Sequence, residues 1–200
     1  MAGASVVELH LQHPGPVLDF WFSERAQALC FEKDDAFDAE IRARFGCAVG
    51  QALSGGYQDW RRIADGTLAL IVLLDQMARN VHRDSPQAYA GDARALEIAE
   101  KAIAAGFDRR FDYTRRRFFY LPFEHSEEPA VQDRSIALFT ALAAEADSAH
   151  REAAAEQLKY AQRHAEIIRR FGRYPHRNAV LGRVSTPEEE AFLKEPFSSF

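Results

Sequence analysis

The fold is decided by residues 68–81, which read LALIVLLDQMARNV. The first half of this stretch is apolar on nearly every side of a helix, and Asp75 is the first charged residue to interrupt it. A helix that is apolar all round is a buried one. The stretch therefore predicts a buried central helix. It is far too short to span a bilayer, so no membrane association is expected.

Helical patterns flank this segment on both sides, and nothing in the chain reads as a sheet. One helix is expected to begin near Val17, and another near Asp34 that bends or stops at Gly46. Beyond the Ser54–Gly56 break and the central helix, further helices are predicted at residues 86–89, 93–105, 114–121, 129–146 and 149–171, and from Thr186 onward. The short breaks indicate an all-α fold of stacked antiparallel helical hairpins. No tandem sequence repeat is found.

Composition and charge are those of an ordinary globular protein. The chain has 200 residues, of which 47% are hydrophobic and 28% charged. This length is sufficient to bury a core without disulfides. The net charge of −5 offers no general attraction for nucleic acid or an anionic membrane. Residues 1–13 are expected to form a loose arm with no secretory signal. Cys30 and Cys47 are not spaced like the cysteines of a metal site or a redox pair. We therefore expect a single cytoplasmic domain spanning residues 1–200.

A first candidate site lies at the end of the central helix. Asp75 lies on the apolar face of the central helix, and a buried carboxylate needs a partner. The nearest candidate is Arg79, one helical turn further along. One interpretation is a structural ion pair between these two residues. In the other, Asp75 orients Arg79 so that Arg79 and Asn80 contact a ligand.

A second candidate site follows Pro122, which is expected to kink or end a helix just before Glu124 and His125. A carboxylate and an imidazole serve general acid–base catalysis or metal binding. Their spacing matches no metal-binding motif, so a structural loop and a functional polar corner both stay open. His164 lies on the apolar face of the helix at 149–171, where a hydrogen-bonded core residue and a ligand-binding residue are the two interpretations.

A third candidate site is the arginine-rich loop after that helix. Gly172 is expected to end the helix, and Arg173 is favoured at a helix C-terminus by the dipole. His176, Arg177 and Asn178 lie beyond a proline and are not explained in this way. A guanidinium, an imidazole and an amide on a rigid loop suit a carboxylate or a phosphate. The same groups could instead bond loop carbonyls and hold the last segment of the chain in place.

Four blocks of the sequence resemble the signature of a bacterial family known as domain of unknown function 924. They are DFWF at 19–22, LDQMARN at 74–80, FYLPFEHSE at 119–127 and the segment 164–183. The resemblance spans about residues 17–193, although Met77 and Ala78 stand where the family more often has phenylalanine and proline. It implies a tetratricopeptide-like α-α superhelix, which agrees with the helical patterns. It implies no activity, so no catalytic residue can be transferred from the family.

Two functions from different classes are compatible with these features. The first is a pocket that binds, or also transforms, a small anionic ligand such as a carboxylate or a phosphate. Its candidate ligand-binding residues are Arg79, Asn80, His125, Arg173, His176, Arg177 and Asn178, and its candidate catalytic residues are Glu124, His125 and His176. The second is a protein-interaction module with a concave groove for a peptide. A metal hydrolase that uses Glu124, His125, His164 and His176 is a third alternative, but we expect no metal or other cofactor.

Overall fold

Helices make up all the regular secondary structure of residues 11–196 and 198, which the computed structural model describes. No strand occurs in this part of the chain, and the all-α prediction is confirmed. Residues 1–10, which include most of the predicted loose arm, lie outside the described residues. The helices fall into two units: the first comprises the described residues up to 83 and residues 87–107, and the second comprises residues 84–86 and those from 108 onward. This division into units does not test the single domain expected from the sequence, which stays a prediction.

The first unit is built around a buried helix, as predicted. Its α-helices are α1 (Gly15–Trp21), α2 (Glu24–Leu29), α3 (Asp35–Leu53), α4 (Ala64–Ile71), α5 (Ala78–Val81) and α6 (Asp92–Ala104). A π-helical segment, Val72–Met77, joins α4 to α5 without a break. Both α3 and α6 pack against this continuous helix, and every side chain from Leu68 to Leu74 is fully buried.

The segment before α6 approaches the central helix closely at Gly91. A Cβ atom at this position would lie 2.3 Å from the carbonyl oxygen of Leu74, closer than any real contact. Only glycine allows the two backbones to meet at this distance. The contact fixes where α6 begins, and therefore where the first residue of α6, Asp92, is presented to the central helix.

The predicted stop at Gly46 is wrong, because α3 continues through this glycine to Leu53, and the alternative of a bend stays a prediction. A glycine inside a helix costs about 1 kcal/mol relative to alanine. The flanking side chains outweigh that cost, since Phe45 and Val49 on the same helix are buried in the core. The helix ends at the predicted break, where Gly55 adopts a φ of 96°.

The second unit contains a long helical hairpin. Its α-helices are α7 (Tyr113–Arg116), α8 (Leu121–Glu124), α9 (Pro129–Glu145), α10 (Arg151–Phe171) and α11 (Pro187–Phe192). Helices α9 and α10 pack along their lengths, and Arg169 near the end of α10 bonds to Asp133 near the start of α9, as in an antiparallel pair. Gly172 ends α10 with a φ of 69°, and Thr186 and Glu189 form a capping box at the predicted start of α11.

One predicted helix of the second unit is wrong in detail. Residues 114–121 are divided between α7, a 3₁₀ turn at Arg117–Phe119 and the start of α8. Asp112 caps α7 by accepting a bond from the Arg115 amide. Pro122 lies in the first turn of α8, where its missing N–H leaves no bond unmade. Nowhere in residues 11–196 is a helix both long enough and apolar enough to cross a bilayer.

Candidate functional site

The charged groups at the end of the central helix bind each other. Arg79 donates to the two oxygens of Asp92 at 2.9 and 3.1 Å, and also to the backbone carbonyl of Asp75. The carboxylate of Asp75 is fully buried, lies 3.7 Å from Arg79 and accepts a bond from Gln76 at 2.6 Å. Burial lowers the pKa of Arg79, but Asp92 and Asp75 outweigh it and raise this pKa overall. The sequence pointed to Asp75 as the partner and missed Asp92, which lies on another helix.

Asn80 is engaged within the same unit. Its amide donates to Asp38 at 2.8 Å, and Arg83 binds both oxygens of the same carboxylate. Burial would raise the pKa of Asp38, but the bonds from Arg83 and Asn80 lower it overall. These contacts tie the end of the central helix to α3. A ligand-binding role for Arg79 and Asn80 stays a prediction.

Aromatic and basic side chains converge on Tyr174 in the second unit. The ring centroids of His164 and His176 lie 5.7 and 5.5 Å from that of Tyr174, and the His125 centroid lies 6.4 Å from that of His164. The guanidinium of Arg177 lies over the Tyr174 ring, 4.6 Å from its centroid, and donates to the backbone carbonyl of His125 at 3.1 Å. We call these five residues the Tyr174 cluster. Three of its members, His125, His176 and Arg177, were predicted as site residues.

His164 is the buried member of the Tyr174 cluster, with 5% of its surface exposed. Its Nδ1 lies 2.8 Å from the carbonyl oxygen of Tyr160, so this nitrogen carries the proton and donates it, and the ring lone pair lies on Nε2. Burial lowers the pKa of His164 to about 3; the neighbouring His125, Arg177 and His176 act in the same direction and the bond to Tyr160 opposes them. The imidazole is therefore neutral at pH 7.

Tyr174 itself is held from several sides. Its hydroxyl donates to the backbone carbonyl of Glu124 and accepts a bond from Gln132 at 2.8 Å. Burial raises the pKa of Tyr174 well above its usual range, so the phenol stays neutral. The carboxylate of Glu124 is 3% exposed, and its Oε2 lies 4.0 Å from Nδ1 of His164. Glu124, a predicted catalytic candidate, thus borders the cluster.

Glu127 fixes the backbone of Tyr174, a contact that no pattern in the sequence predicts. It accepts a bond from the Tyr174 amide at 2.8 Å and two bonds from Arg183 at 2.7 and 3.0 Å. Burial would raise the pKa of Glu127, but the bonds from Arg183 and the Tyr174 amide lower it overall. A carboxylate 47 residues away in sequence therefore orients the loop.

Two predicted site residues make their bonds within the loop and α11. Arg173 donates to the two oxygens of Glu189 at 2.6 and 2.8 Å, and this bond lowers the pKa of Glu189 to about 2. Asn178 is fully buried, and its amide donates to Ser185 at 3.1 Å and to Glu189 at 3.3 Å. These are the contacts of the alternative interpretation, in which the loop holds the last segment of the chain. Ligand binding by Arg173 and Asn178 stays a prediction.

A metal centre finds no support in the described part of the chain. No three His, Cys, Asp or Glu side chains within it are placed to hold a metal ion. The metal-hydrolase alternative needs such a set from Glu124, His125, His164 and His176. These groups border one another without forming a ligand shell.

Comparisons with known proteins agree with the resemblance read from the sequence. The family described as a bacterial protein of unknown function (DUF924) matches residues 17–197. A solved structure of a protein of unknown function from Agrobacterium tumefaciens is similar to the chain at 37% identity and a TM-score of 0.80, and the match covers 90% of this chain and 96% of that one. No curated protein matches the chain. The matched range includes the central helix and the Tyr174 cluster, and the chain belongs to the DUF924 family of bacterial proteins.

Proposed function

We propose that the second unit binds a small anion, a carboxylate or a phosphate, at the Tyr174 cluster. The observation that carries the proposal is that the imidazoles of His164 and His176 and the guanidinium of Arg177 lie against one buried phenol ring, with the imidazole of His125 next to that of His164. Burial is the main cause of the lowered pKa of His164, and the neighbouring His125, Arg177 and His176 lower it further, which is the effect of a positive local potential. An anion placed there would receive charge-assisted hydrogen bonds.

The members of the cluster differ in exposure, which divides their roles. His125 and His176 are only half-buried, so a ligand could reach them, whereas His164 and Arg177 are buried. A neutral imidazole with a pKa of about 3 is a poor base at pH 7, so His164 would orient neighbouring groups. If the bound ligand reacts, the proton would be transferred by Glu124, His125 or His176, the candidates predicted from the sequence.

A tetratricopeptide-like superhelix and a cytoplasmic location belong to the same proposal. The antiparallel pair α9 and α10 is the kind of hairpin from which such superhelices are built. Their stacked hairpins often present ligand-binding surfaces.

The proposal is tested by thermal unfolding of the full chain with inorganic phosphate, succinate or citrate, and with a neutral osmolyte as the reference. A ligand present at 100 times its Kd stabilises the folded state by about 2.7 kcal/mol. For a chain of this size that corresponds to a rise in Tm of roughly 5–10 °C. We expect such a rise with one of the two anion classes. If no anion raises the Tm above the osmolyte reference, the proposal is wrong and the peptide-groove alternative takes its place.

Two variants locate the site, each with a matched control in the same unit. His176→Ala is compared with His150→Ala, which removes an exposed imidazole bonded to Asp147. Arg177→Lys is compared with Arg169→Lys, which alters an exposed pair with Asp133. We expect the anion-induced rise in Tm to shrink in the first member of each pair only. Equal shrinkage in both members, or a lower Tm without ligand and an unchanged anion effect, would show that the loop is structural.

A further inference from the structure

The first unit carries an open depression beside the C-terminal end of α3. Its volume is about 540 Å³, within the range of about 300–1,000 Å³ that is typical of small-molecule sites. Two aromatic and several polar side chains line it. The residues that matter to the argument are Tyr57, Trp60, Gln12, Gln51, Gln58 and Asp59.

The aromatic part of the depression is a surface formed by two stacked rings, which we call the platform. The rings of Tyr57 and Trp60 lie with their centroids 4.3 Å apart and their planes 31° from parallel. Trp60 is 7% exposed, whereas Tyr57 is half-buried, so Tyr57 is the ring that a ligand can cover. Because the two rings stack on each other, they do not form the facing walls that enclose a quaternary ammonium group. A flat ligand with an apolar face suits this arrangement.

The polar part of the depression favours an uncharged ligand. Its described lining includes three glutamine amides and the carboxylate of Asp59, and no Lys, Arg or His. An amide offers both donors and an acceptor, which is what a hydroxyl group requires. The carboxylate of Asp59 is paired with Arg62 at 3.7 Å, so this pair adds no net positive charge that would recruit an anion. Hydroxyl groups around an otherwise apolar ring therefore match this lining better than a phosphate or a carboxylate does.

Tyr57 occupies its position in an unfavourable backbone conformation. Its φ of 56° and ψ of 36° lie in the left-handed region, where a bulky side chain is rare. Its hydroxyl donates to Gln51 at 2.5 Å, and the ring rests on Trp60. Strained residues cluster at ligand sites, since they persist only where the surrounding structure holds them. These contacts therefore hold the Tyr57 ring in the depression although its backbone conformation is unfavourable.

We propose that this depression binds a neutral, hydroxyl-rich six-membered ring, of which a hexose is the simplest example. The apolar face of the sugar ring packs on Tyr57, and its hydroxyl groups bond to Gln12, Gln51 and Gln58. This site is separate in sequence and in chemistry from the Tyr174 cluster, which is basic. Its test does not depend on the function proposed for that cluster.

The test is titration of the full chain with glucose, galactose and myo-inositol, followed by calorimetry and by saturation transfer to the sugar protons. Sorbitol is the matched probe, because it has the hydroxyl groups of a hexose and no ring. We expect a Kd in the millimolar range for at least one ring and binding at least about fivefold weaker for sorbitol. Absence of binding by every ring at about 50 mM, or equal binding of sorbitol, would overturn the proposal.

The variant Tyr57→Gly distinguishes the contribution of the aromatic ring from that of the backbone conformation. The substitution removes the platform and also relieves the left-handed strain, so the fold is retained while sugar binding falls at least about tenfold. The control is Asp84→Gly, since Asp84 is the other described non-glycine residue with a positive φ and does not line the depression. Gln58→Ala, at the exposed rim, is a second variant and is expected to weaken binding severalfold. Sugar binding that survives both Tyr57→Gly and Gln58→Ala would show that the sugar lies elsewhere.

Discussion

The end of the central helix in the first unit and the Tyr174 cluster in the second both gather buried polar groups, but their charges are organised differently. At the helix end, Arg79 binds Asp92 and Arg83 binds Asp38, so guanidinium and carboxylate groups are matched. In the Tyr174 cluster the basic groups surround a phenol and an imidazole that is kept neutral. Matched charges therefore join helices in the first unit, whereas in the Tyr174 cluster the basic side chains pack around an aromatic ring.

The largest effect is expected from Asp38→Ala, which breaks the matched set. Asp38 is 4% exposed and holds both Asn80 and Arg83, so its removal leaves an amide and a guanidinium without their acceptor. We expect the free energy of unfolding to fall by about 3 kcal/mol, as measured by urea denaturation. The control is Asp133→Ala, which removes an exposed carboxylate bound to Arg169. Equal stability of the two variants would show that the buried set does not join the helices.

Gly91→Ala tests whether the matched set depends on the close approach of two backbones. The added Cβ would meet the Leu74 carbonyl, so the segment before α6 must move. We expect a loss of about 2–3 kcal/mol in the free energy of unfolding. The same substitution at Gly50, where a Cβ would meet nothing within 4 Å, is expected to stabilise α3 by about 0.5–1 kcal/mol. Effects of the same sign at both glycines would contradict this account.

The pH dependence of stability tests the neutral imidazole of the Tyr174 cluster. His164 has a pKa of about 3 in the folded chain and about 6.5 when unfolded, so between these values the unfolded state binds the additional proton. Stability therefore falls as the pH falls through this range. Compared with His164→Gln, the wild-type free energy of unfolding should decrease by about 2 kcal/mol more between pH 7 and pH 5. A difference that is constant with pH would show that His164 is not buried in its neutral form.

The smallest effect is expected from Thr186→Ala at the start of α11. Thr186 accepts a bond from the Glu189 amide, and Glu189 in turn binds Arg173. Loss of an N-cap costs about 1 kcal/mol of unfolding free energy. Anion binding at the Tyr174 cluster should be unaffected, because Arg173 keeps its carboxylate partner. Loss of anion binding in this variant would mean that α11 helps to form the site.

The helices could be predicted from the sequence wherever local signals agreed with burial. Three such signals depend only on neighbouring residues and were found as predicted: the apolar stretch at 68–81, the helix end at Gly172 and the helix start at Thr186. The predicted stop at Gly46 was wrong because the low helix propensity of one glycine costs less free energy than the packing of a buried helix face provides. Local signals therefore gave the elements, and tertiary packing decided where one of them continued.

The candidate sites were less predictable, because their bonds join distant parts of the chain. Asp92 and Asp38 bind the predicted residues Arg79 and Asn80 from 13 and 42 positions away, and Glu127 binds Tyr174 from 47 positions away. No periodicity connects such pairs. The sequence pointed to His125, His176 and Arg177 through their residue types alone. It could not show that Tyr174 lies at the centre of them, since a tyrosine before a proline has the pattern of an ordinary loop residue.

The π-helical segment Val72–Met77 has a further consequence for the central helix. A π turn accommodates one residue more than an α-helical turn, so everything after it is rotated by about 100° relative to an uninterrupted α-helix. Arg79 and Asn80 follow the segment and meet Asp92 and Asp38 only in this rotated register. Both contacts therefore depend on the one additional residue that the π-helical segment inserts before Arg79 and Asn80. Deleting one residue from the segment would restore regular winding and turn both side chains away from their partners.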